Sequence, residues 1–374
     1  MKHYQFLSLK KANEPYVDEI RAAWEQILDD GWYLHGKFAA RLERELADLC
    51  HAGHAVACSN GLDALRLIFR AYVEMGVMQR GDEVIVPANT YVASVLAVTD
   101  NGLVPVFADI DETTMNLDFA QAEQKITPRT KAIMVVHLYG SPCWSPDAVR
   151  LAERYGVKIV EDNAQAIGAS SRFAGLHGTH ATGGLGDVAA FSFYPTKNIG
   201  AMGDAGAVVT SDKQLASAVR ALANYGADTR YHNIYRGLNC RMDELQAAVL
   251  CVKLGHLEEI TVARRERAAI YDAHIRNPQI VKPRIFSEDV QVWHQYEIRV
   301  PKRRDEFRDY MARHGVETDI HYAVPPHLQP CYRQYAAIEL PVTCRLASEI
   351  VSLPVSESMP VGDIAEIAAI ANGF

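Results

Sequence analysis

The sequence lacks the features that mark membrane, secreted and nucleic-acid-binding proteins. It has no run of about 20 apolar residues, so no membrane-spanning helix is predicted. The N-terminal segment MKHYQFLSLKKANEPY includes basic side chains but no apolar stretch of the kind that a signal peptide needs. Acidic and basic residues are interspersed, and the net charge is -8, which argues against a nucleic-acid-binding surface. We therefore expect a cytoplasmic protein with no nucleic-acid or membrane partner.

The seven cysteines show no pattern typical of a metal or disulfide site. Their number is odd, they are scattered between positions 50 and 344, and no CxxC pair occurs. Such pairs are the usual mark of zinc and redox motifs. We therefore expect reduced thiols in the core or at the surface, and no metal site.

The composition indicates a soluble globular protein, with 49% hydrophobic and 22% charged residues. A chain of 374 residues is longer than one ordinary domain. The pattern of elements changes near Gly255, where a long charged helix is predicted. We predict a large domain with N-terminal helices at residues 1–254 and a small C-terminal α+β domain at residues 255–374.

The larger part of the chain alternates between helical and strand-like segments. Apolar residues recur at three- and four-residue steps from Pro15 to Gly31, and a second stripe covers Lys37–Cys50. A further helix is predicted from about Asp63 to Met75. Strands are predicted at Ala55–Cys58, Glu83–Val86, Val104–Phe107, Ala132–Val136, Val157–Val160, Val188–Phe193 and Ala207–Thr210. This alternation is typical of an α/β protein with a mainly parallel sheet covered by helices, whose ligands lie at the carboxyl ends of the strands.

The C-terminal part has a different order of elements. A helix is predicted at Gly255–Ile275, then a strand at Tyr296–Val300 and a helix at Asp305–His314, which Gly315 is well placed to cap. A last strand is predicted at Val316–Ile320. This order indicates a smaller α+β unit.

A lysine in a setting suited to covalent chemistry follows the strand that ends near Phe193. The segment FSFYPTKN at residues 191–198 places Lys197 after an aromatic run and before the glycine-rich residues 200–206. Partial burial disfavours the charged ammonium, and a neutral amine is what Schiff-base formation requires. A lone loop lysine is usually a surface residue, but this context favours a catalytic one.

Two carboxylates stand at the end of another predicted strand, in VEDNAQ at residues 160–165. Pyridoxal phosphate (PLP) needs an anion against its pyridine nitrogen, so that the protonated ring withdraws electrons from a carbanion. Asp162 is the candidate for that role, and Gln165 is the candidate for a hydrogen bond to the phenolic oxygen of the ring. The alternative is that Asp162 only caps the next helix.

A third segment, SNGLDAL at residues 59–65, indicates a strand-turn-helix transition. Backbone N–H groups at a helix start bind phosphate well, and Gly61 permits a close approach of the backbone. Ser192 can add a hydroxyl to the same phosphate. Taken alone, glycine at such a turn is more often ordinary turn chemistry.

Together these segments resemble the DegT/DnrJ/EryC1/StrS family of PLP-dependent sugar aminotransferases, and the resemblance covers nearly the whole chain. It extends to PANTYVAS at 87–94, GLNCRMDELQAA at 237–248 and HYAVPPHLQP at 321–330. The family implies a type I aminotransferase fold, PLP bound in the large domain, and a homodimer whose active sites are shared between subunits.

The resemblance also implies a role for individual residues. Lys197 matches the Schiff-base lysine and proton shuttle, Asp162 the pyridinium partner, Gln165 the oxygen-side donor, Tyr91 the aromatic that stacks on the ring, Gly61, Leu62 and Ser192 the phosphate site, and Asn239 a residue from the other subunit. Taken alone, Tyr91 would pass for an ordinary buried tyrosine. Many relatives have threonine in place of Leu62, so here only the backbone N–H of that residue can serve.

The substrate is implied by the resemblance as well. The LDAL form of the phosphate segment resembles the subgroup that acts on dTDP-linked 3-keto-6-deoxyhexoses, with L-glutamate as the amino donor. Some relatives have histidine in place of Lys197 and catalyse dehydration, so lysine favours transamination. His321, Tyr322 and His327 match a segment that closes over the sugar or nucleotide, although a lone histidine is more often structural.

Three other interpretations stay open at this point. One is transamination at C4 of a UDP- or GDP-linked 4-keto-6-deoxy sugar. Another is a non-catalytic regulator that keeps the fold, which the joint presence of Lys197, Asp162 and Gln165 disfavours. The third is a nucleotide-dependent oxidoreductase, prompted by GGLG at 183–186, but this segment follows a loop and precedes a strand, the reverse of the dinucleotide fingerprint.

Overall fold

The computed structural model of the protein describes residues 2–284 and 286–374. Its α-helices are α1 (Leu9–Asn13), α2 (Val17–Asp30), α3 (Lys37–Leu49), α4 (Gly61–Glu74), α5 (Val92–Asp100), α6 (Phe119–Gln124), α7 (Pro146–Tyr155), α8 (Lys213–Ala223), α9 (Glu244–Gly255), α10 (Leu257–His274), α11 (Arg304–Arg313), α12 (Pro341–Ala347) and α13 (Val361–Asn372). Its β-strands are β1 (His54–Cys58), β2 (Glu83–Pro87), β3 (Val104–Ala108), β4 (Thr130–Val136), β5 (Lys158–Asp162), β6 (Val188–Ser192), β7 (Gly206–Thr210), β8 (Ala227–Thr229), β9 (His232–Asn233), β10 (Tyr296–Arg299) and β11 (Ile350–Leu353).

Local sequence sets where several of these helices begin and end. Helix α2 ends at Gly31, which has a φ of 62° and donates its N–H to Ile27 O, a common helix-ending geometry. Helix α4 begins after Asn60, whose side chain accepts the N–H of Asp63 at 2.8 Å. Gly315 follows α11 with a φ of 82°, as predicted. These residues fix where each helix begins or ends.

The central sheet has seven strands in the order β1-β7-β6-β5-β4-β2-β3. Neighbours from β6 to β3 are parallel, whereas β7 runs antiparallel to both β1 and β6. The prediction of a mainly parallel sheet is therefore confirmed. The register places Cys58, Ser192 and Gly206 side by side, at the edge where β5 also ends with Asp162. The segments singled out in the sequence thus meet at one edge.

Both faces of this sheet are buried by helices. Val160 and Ala190 point into a core shared with α4, α5 and α8. Ile159 and Phe191, one residue away in each strand, point to the opposite face, where α2, α3, α7 and α9 pack. Because alternate strand residues face opposite sides, neighbouring residues of β5 have different surroundings.

A separate hydrophobic core lies in the C-terminal part. It gathers Tyr4 with residues between Ala268 and Ala371, around the antiparallel pair β10–β11. The division into domains at residue 255 stays a prediction. Among the described residues, no helix combines the length and the apolar character needed to cross a membrane.

The prediction of a strand at Val316–Ile320 is wrong. The segment changes hydrogen-bonding partners along its length: Tyr4 bonds to both Gly315 and Glu317, and Asp319 bonds to Ser352 of β11. Because it meets a different chain segment at each end, it forms single bridges instead of a continuous ladder. The segment therefore links the N-terminal residues to the small sheet formed by β10 and β11.

Candidate active site

A cavity of about 480 Å³ lies at the carboxyl edge of the central sheet. Residues singled out in the sequence line it, namely Gly61, Leu62, Tyr91, Asp162, Gln165, Ser192, Lys197, His321 and Tyr322. They come from the starts of α4 and α5, the ends of β5 and β6 with the loops that follow them, and the segment between α11 and α12. Residues more than 250 positions apart in the chain, such as Gly61 and Tyr322, therefore share one site.

Asp162, the last residue of β5, is buried and lines this cavity. Its Oδ2 accepts a hydrogen bond from the hydroxyl of Ser94 at 2.7 Å, and its Oδ1 accepts the N–H of Ala164 at 3.2 Å. Burial raises the pKa of Asp162, and the two hydrogen bonds and the charge of Lys197 oppose this rise. A positive group placed against Asp162 would stabilise its charged form.

Lys197 lies in the loop after β6 and lines the same cavity. Burial lowers the pKa of Lys197 to about 8, and the charge of Asp162 opposes this shift. The loop turns so tightly that a Cβ on Gly200 would lie 2.2 Å from the carbonyl oxygen of Pro195. The fold thus presents a lysine whose proton is lost near pH 8, so that a reactive neutral amine is available for Schiff-base chemistry.

The start of α4 is shaped to receive an anion. The side chain of Asn60 accepts the N–H of Asp63, and the N–H groups of Gly61 and Leu62 have no intrahelical partner because they lie in the first turn of α4. A Cβ on Gly61 would lie 2.5 Å from the Cβ of Ser192, so glycine is what allows these two segments to touch. The backbone N–H groups, the helix dipole and the hydroxyl of Ser192 together suit a phosphate.

The side chains of Tyr91, Tyr322 and Gln165 form a connected wall of the cavity. Gln165 accepts the N–H of Tyr139 at 2.6 Å and donates to the hydroxyl of Tyr322 at 3.0 Å. The ring centroid of Tyr322 lies 5.2 Å from that of Tyr91. Tyr91 is 54% exposed, so it is not an ordinary buried tyrosine. This wall offers ring faces for stacking, with polar groups that fix their orientation.

His321 contributes a nitrogen-bearing ring to the cavity. Its Nδ1 lies 2.7 Å from the hydroxyl of Ser352, and its carbonyl oxygen accepts a hydrogen bond from Tyr139. Burial lowers the pKa of His321; the charge of Asp319 opposes this shift and the charge of Lys197 adds to it. The lowered pKa favours the neutral imidazole.

Asn239 and His327 do not line the cavity of this chain. Asn239 is exposed and pairs with Asn224. His327 is fully buried, with its ring centroid 5.7 Å from that of Phe107 and its Nε2 3.7 Å from Sγ of Cys344. The surroundings of His327 are those of a packing residue, whereas Asn239 is open to a partner.

Several residues of the site were missed in the sequence. Ser94 belongs to the PANTYVAS segment, and its position three residues after Tyr91, at the start of a helix, was an available signal. Tyr139 follows the carboxyl end of β4, also the right edge of the sheet. No sequence signal marks His294, which lines the cavity with Nδ1 3.2 Å from Oδ1 of Asn198.

The glycine cluster at 183–186 binds one of the protein's own carboxylates. Glu161 accepts the N–H of Gly183 at 2.7 Å and the N–H of Gly186 at 2.8 Å, and its Oε2 lies 2.8 Å from Nε2 of His137. A Cβ on Gly184 would lie 2.1 Å from the carbonyl oxygen of Cys50. These glycines therefore allow close packing and donate hydrogen bonds to Glu161, which disfavours a dinucleotide site.

Comparison with known proteins gives matches along the whole chain. The sequence pattern of the DegT/DnrJ/EryC1/StrS aminotransferase family matches residues 16–371. A dTDP-3-amino-3,6-dideoxy-alpha-D-galactopyranose transaminase from Aneurinibacillus thermoaerophilus is 44% identical over 369 residues, with 99% of each chain covered.

Solved structures give the same result. DesV of S. venezuelae, in complex with a ketimine intermediate, is 41% identical and superposes with a TM-score of 0.93, covering 100% of this chain and 98% of DesV. NtdA from Bacillus subtilis with bound PMP is 29% identical, with a TM-score of 0.90, covering 100% of this chain and 86% of NtdA. Both similarities include every element that lines the cavity.

Proposed function

Because the chain belongs to the DegT/DnrJ/EryC1/StrS aminotransferase family, we propose that it transfers an amino group from L-glutamate to C3 of a dTDP-linked 3-keto-6-deoxyhexose. The products are 2-oxoglutarate and the 3-amino sugar nucleotide. The observation that carries this proposal is one cavity that combines Lys197, Asp162 and the start of α4.

The residues of the cavity fit PLP. The close contact between Gly61 and Ser192 leaves backbone N–H groups and a hydroxyl for its phosphate. Asp162, whose pKa burial raises, gains a positive partner in a protonated ring nitrogen. Lys197 would hold the aldehyde carbon, and Tyr91 would lie against a ring face. When bound, PLP withdraws electrons from the carbon that bears the transferred amino group.

Lys197 performs the proton transfers of the reaction. Its pKa of about 8 allows Nζ to release and regain a proton at physiological pH. In the first half-reaction Nζ takes the proton from the Cα of L-glutamate. In the second half-reaction Nζ gives a proton to C3 of the sugar, while the amino group replaces the ketone oxygen, which leaves as water.

Asp162 and Gln165 hold the orientation that this proton transfer needs. Asp162 is fixed by Ser94 and Ala164, so its carboxylate stays in one position through both half-reactions. Gln165 is fixed through both ends of its amide by Tyr139 and Tyr322. Because these contacts hold Asp162 and Gln165 in place, less conformational entropy is lost when the reactive geometry is reached.

The sugar nucleotide is bound by His321 and Tyr322 in this proposal. Both line the cavity on the side formed by the segment before α12. The assignment to a dTDP-linked 3-keto sugar is supported by the full-length similarity to the Aneurinibacillus transaminase named above. A diphosphate and nucleoside far from the ketone provide binding energy that orients it.

A second copy of the chain completes the site in this proposal. Exposed apolar and aromatic side chains lie in the segment around Asn239 and in the segment that the Leu34–Asp243 bridge holds beside it, namely Trp32, Tyr33, Tyr225, Tyr231, Ile234, Leu238 and Leu245. Such side chains on a soluble protein mark an interaction surface. A homodimer formed through this surface would bring Asn239 to the phosphate site of its partner.

The dimer is tested by complementation between two variants. When Lys197→Ala and Asn239→Ala chains are co-expressed in equal amounts, about half of the dimers are mixed and each has one intact site. At low PLP, where each variant alone has little activity, the mixture should recover about a quarter of the wild-type activity. No recovery, or a monomeric mass by light scattering, would refute the shared site.

The substrate is tested by a single-turnover assay. The enzyme is reacted with L-glutamate, the donor is removed, and a dTDP-3-keto-6-deoxyhexose or a UDP-4-keto sugar is added while cofactor absorbance is followed. Return of the original PLP band with the dTDP-3-keto sugar alone is the expected result. Return with the UDP-4-keto sugar alone would assign the protein to C4 transamination, and the Lys197→Met variant is the control that should show no change.

A further inference from the structure

A buried acid lies behind the cavity wall, one hydroxyl group away from His321. Glu297 on β10 is the cross-strand partner of Ser352 on β11. The hydroxyl of Ser352 is hydrogen-bonded to Oε2 of Glu297 and lies 2.7 Å from Nδ1 of His321. Glu297 is 1% exposed and Ser352 is fully buried. The three groups form a chain of hydrogen bonds in which Glu297 and Ser352 are shielded from water and His321 reaches the cavity.

The surroundings of Glu297 indicate that it carries a proton. Its Oε2 has Ser352 as a partner, whereas Oε1 is buried without a hydrogen-bond partner in the described part of the chain. A charged carboxylate with so few partners would be very costly to bury. Burial raises the pKa of Glu297 well above its usual range; the hydrogen bond with Ser352 opposes this rise and the charge of Asp319 adds to it.

A protonated Glu297 sets the direction of the whole chain. Its proton needs an acceptor, and the hydroxyl oxygen of Ser352 is the one within reach. A serine hydroxyl has a single proton to donate, so Ser352 donates it to Nδ1 of His321. A neutral imidazole that accepts at Nδ1 has its own proton on Nε2.

We propose that Glu297 and Ser352 are positioning residues that fix His321 as a neutral imidazole with its N–H donor on Nε2, facing the sugar substrate. Asp319 Oδ2 lies 3.8 Å from this nitrogen, beyond hydrogen-bond distance, and its side chain is 60% exposed. The Nε2–H group of His321 is therefore available to donate a hydrogen bond to an oxygen atom of the substrate. The inference rests on the proposed function, in which His321 binds the keto sugar.

The proton position is measured directly by NMR. The holoenzyme is labelled with ¹⁵N-histidine, and the signals of His321 are identified by their loss in the His321→Gln variant. The expected spectrum has a protonated, pyrrole-type Nε2 and an unprotonated, pyridine-type Nδ1. A protonated Nδ1 in the wild-type enzyme would overturn the inference.

Substitutions of the two positioning residues test the chain step by step. Ser352→Ala should abolish the fixed Nε2–H pattern and slow the keto-sugar half-reaction about tenfold, because one oriented hydrogen bond is lost. The L-glutamate half-reaction, which does not use His321, should be unchanged. Glu297→Gln should keep the pattern and the rate, because its amide N–H can donate to Ser352 as the carboxyl does.

The control is Val351→Ala, which removes apolar volume from the same strand but on the face that packs into the C-terminal core. It should lower stability without changing the tautomer or the ratio of the two half-reactions. An equal loss in both half-reactions for Ser352→Ala would mean a purely structural role and would overturn the inference.

The test separates this inference from the proposed function. If the wild-type enzyme shows the Nε2–H pattern but no keto sugar reacts, the proton arrangement is supported and the substrate assignment fails. If a keto sugar reacts while His321 is protonated on Nδ1, the substrate assignment stands and the inference fails.

Discussion

The two sides of the central sheet each hold a buried acid and a lysine with a lowered pKa, but they differ in how these groups are partnered. Behind the sheet, Glu161 is bound by His137, Gly183 and Gly186. Lys253 on α9 donates to the carbonyl oxygen of Gly200 at 2.6 Å, and burial lowers its pKa to about 8. The protein itself satisfies both groups.

The cavity side presents the opposite case. Lys197 also has a pKa of about 8 because of burial, but it faces the cavity together with Asp162. Asp162 and Glu161 are adjacent in β5, and the alternation of the strand sends them to opposite faces. Burial and a shifted pKa therefore do not identify a catalytic group by themselves. What distinguishes the site is that Lys197 and Asp162 face a cavity, where a ligand can supply further partners for them.

The largest expected effect comes from the two adjacent carboxylates. Asp162→Asn should lower turnover about a thousandfold, because a neutral amide no longer stabilises the protonated cofactor ring. Its melting temperature should hold or rise, since the substitution removes a charge that is costly to bury. Steady-state kinetics and thermal melting measure the two effects.

Glu161→Gln is the matched control for this prediction. Both oxygens of Glu161 accept backbone N–H groups, so the NH2 group of a glutamine would face one of these N–H donors. We expect a loss of about 3 kcal/mol of stability, with turnover per folded molecule nearly unchanged. A thousandfold loss of turnover in a well-folded Glu161→Gln enzyme would break the comparison between the two faces.

A smaller effect is expected from pH. The pKa of Lys197 is lowered to about 8, so the reactive neutral amine becomes the main form as the pH rises through that value. Capture of PLP by the apoprotein should accelerate about tenfold between pH 7 and pH 9 and then level off. Stopped-flow absorbance gives the midpoint.

Lys253 sharpens the pH prediction because burial lowers its pKa to a similar value. Lys253→Met should destabilise the fold by about 1–3 kcal/mol by leaving the carbonyl of Gly200 without its partner. The midpoint of PLP capture should stay near pH 8. A midpoint that shifts in the Lys253→Met variant would assign the titration to Lys253 and contradict this prediction.

The smallest effect concerns the glycines of the two sides. Gly61→Ala puts a methyl group 2.5 Å from the Cβ of Ser192 at the proposed phosphate site, so it should lower stability and also weaken PLP binding roughly fivefold, equal to about 1 kcal/mol. Gly184→Ala instead meets the backbone of Cys50 and should cost about 2–3 kcal/mol of stability with PLP affinity unchanged. Fluorescence titration and chemical denaturation distinguish them.

Much of the fold and the family of the protein can be predicted from its sequence, for identifiable reasons. The family, the α/β fold with its type I aminotransferase relatives, and the aminotransferase activity are confirmed, because the apolar runs mark the strands and the motifs stand at their ends. The roles of Lys197, Asp162 and the other site residues stay predictions.

Other features depend on contacts that no local pattern encodes. Ser352 lies 31 positions from His321, and Glu297 lies 55 from Ser352. His327 shares a motif with His321, yet its side chain turns into the core, because a motif does not give the direction of each side chain. The segment at 316–320 has a strand-like pattern but bonds to two different partners.

The most direct test of the central claim is to locate the lysine that binds PLP. The holoenzyme is reduced with borohydride and digested, and the labelled peptide is identified by mass spectrometry. The account predicts a phosphopyridoxyl group on Lys197 and none on Lys253, the other lysine whose pKa burial lowers to about 8. A label on Lys253 or spread over surface lysines, or no label at all, would contradict it.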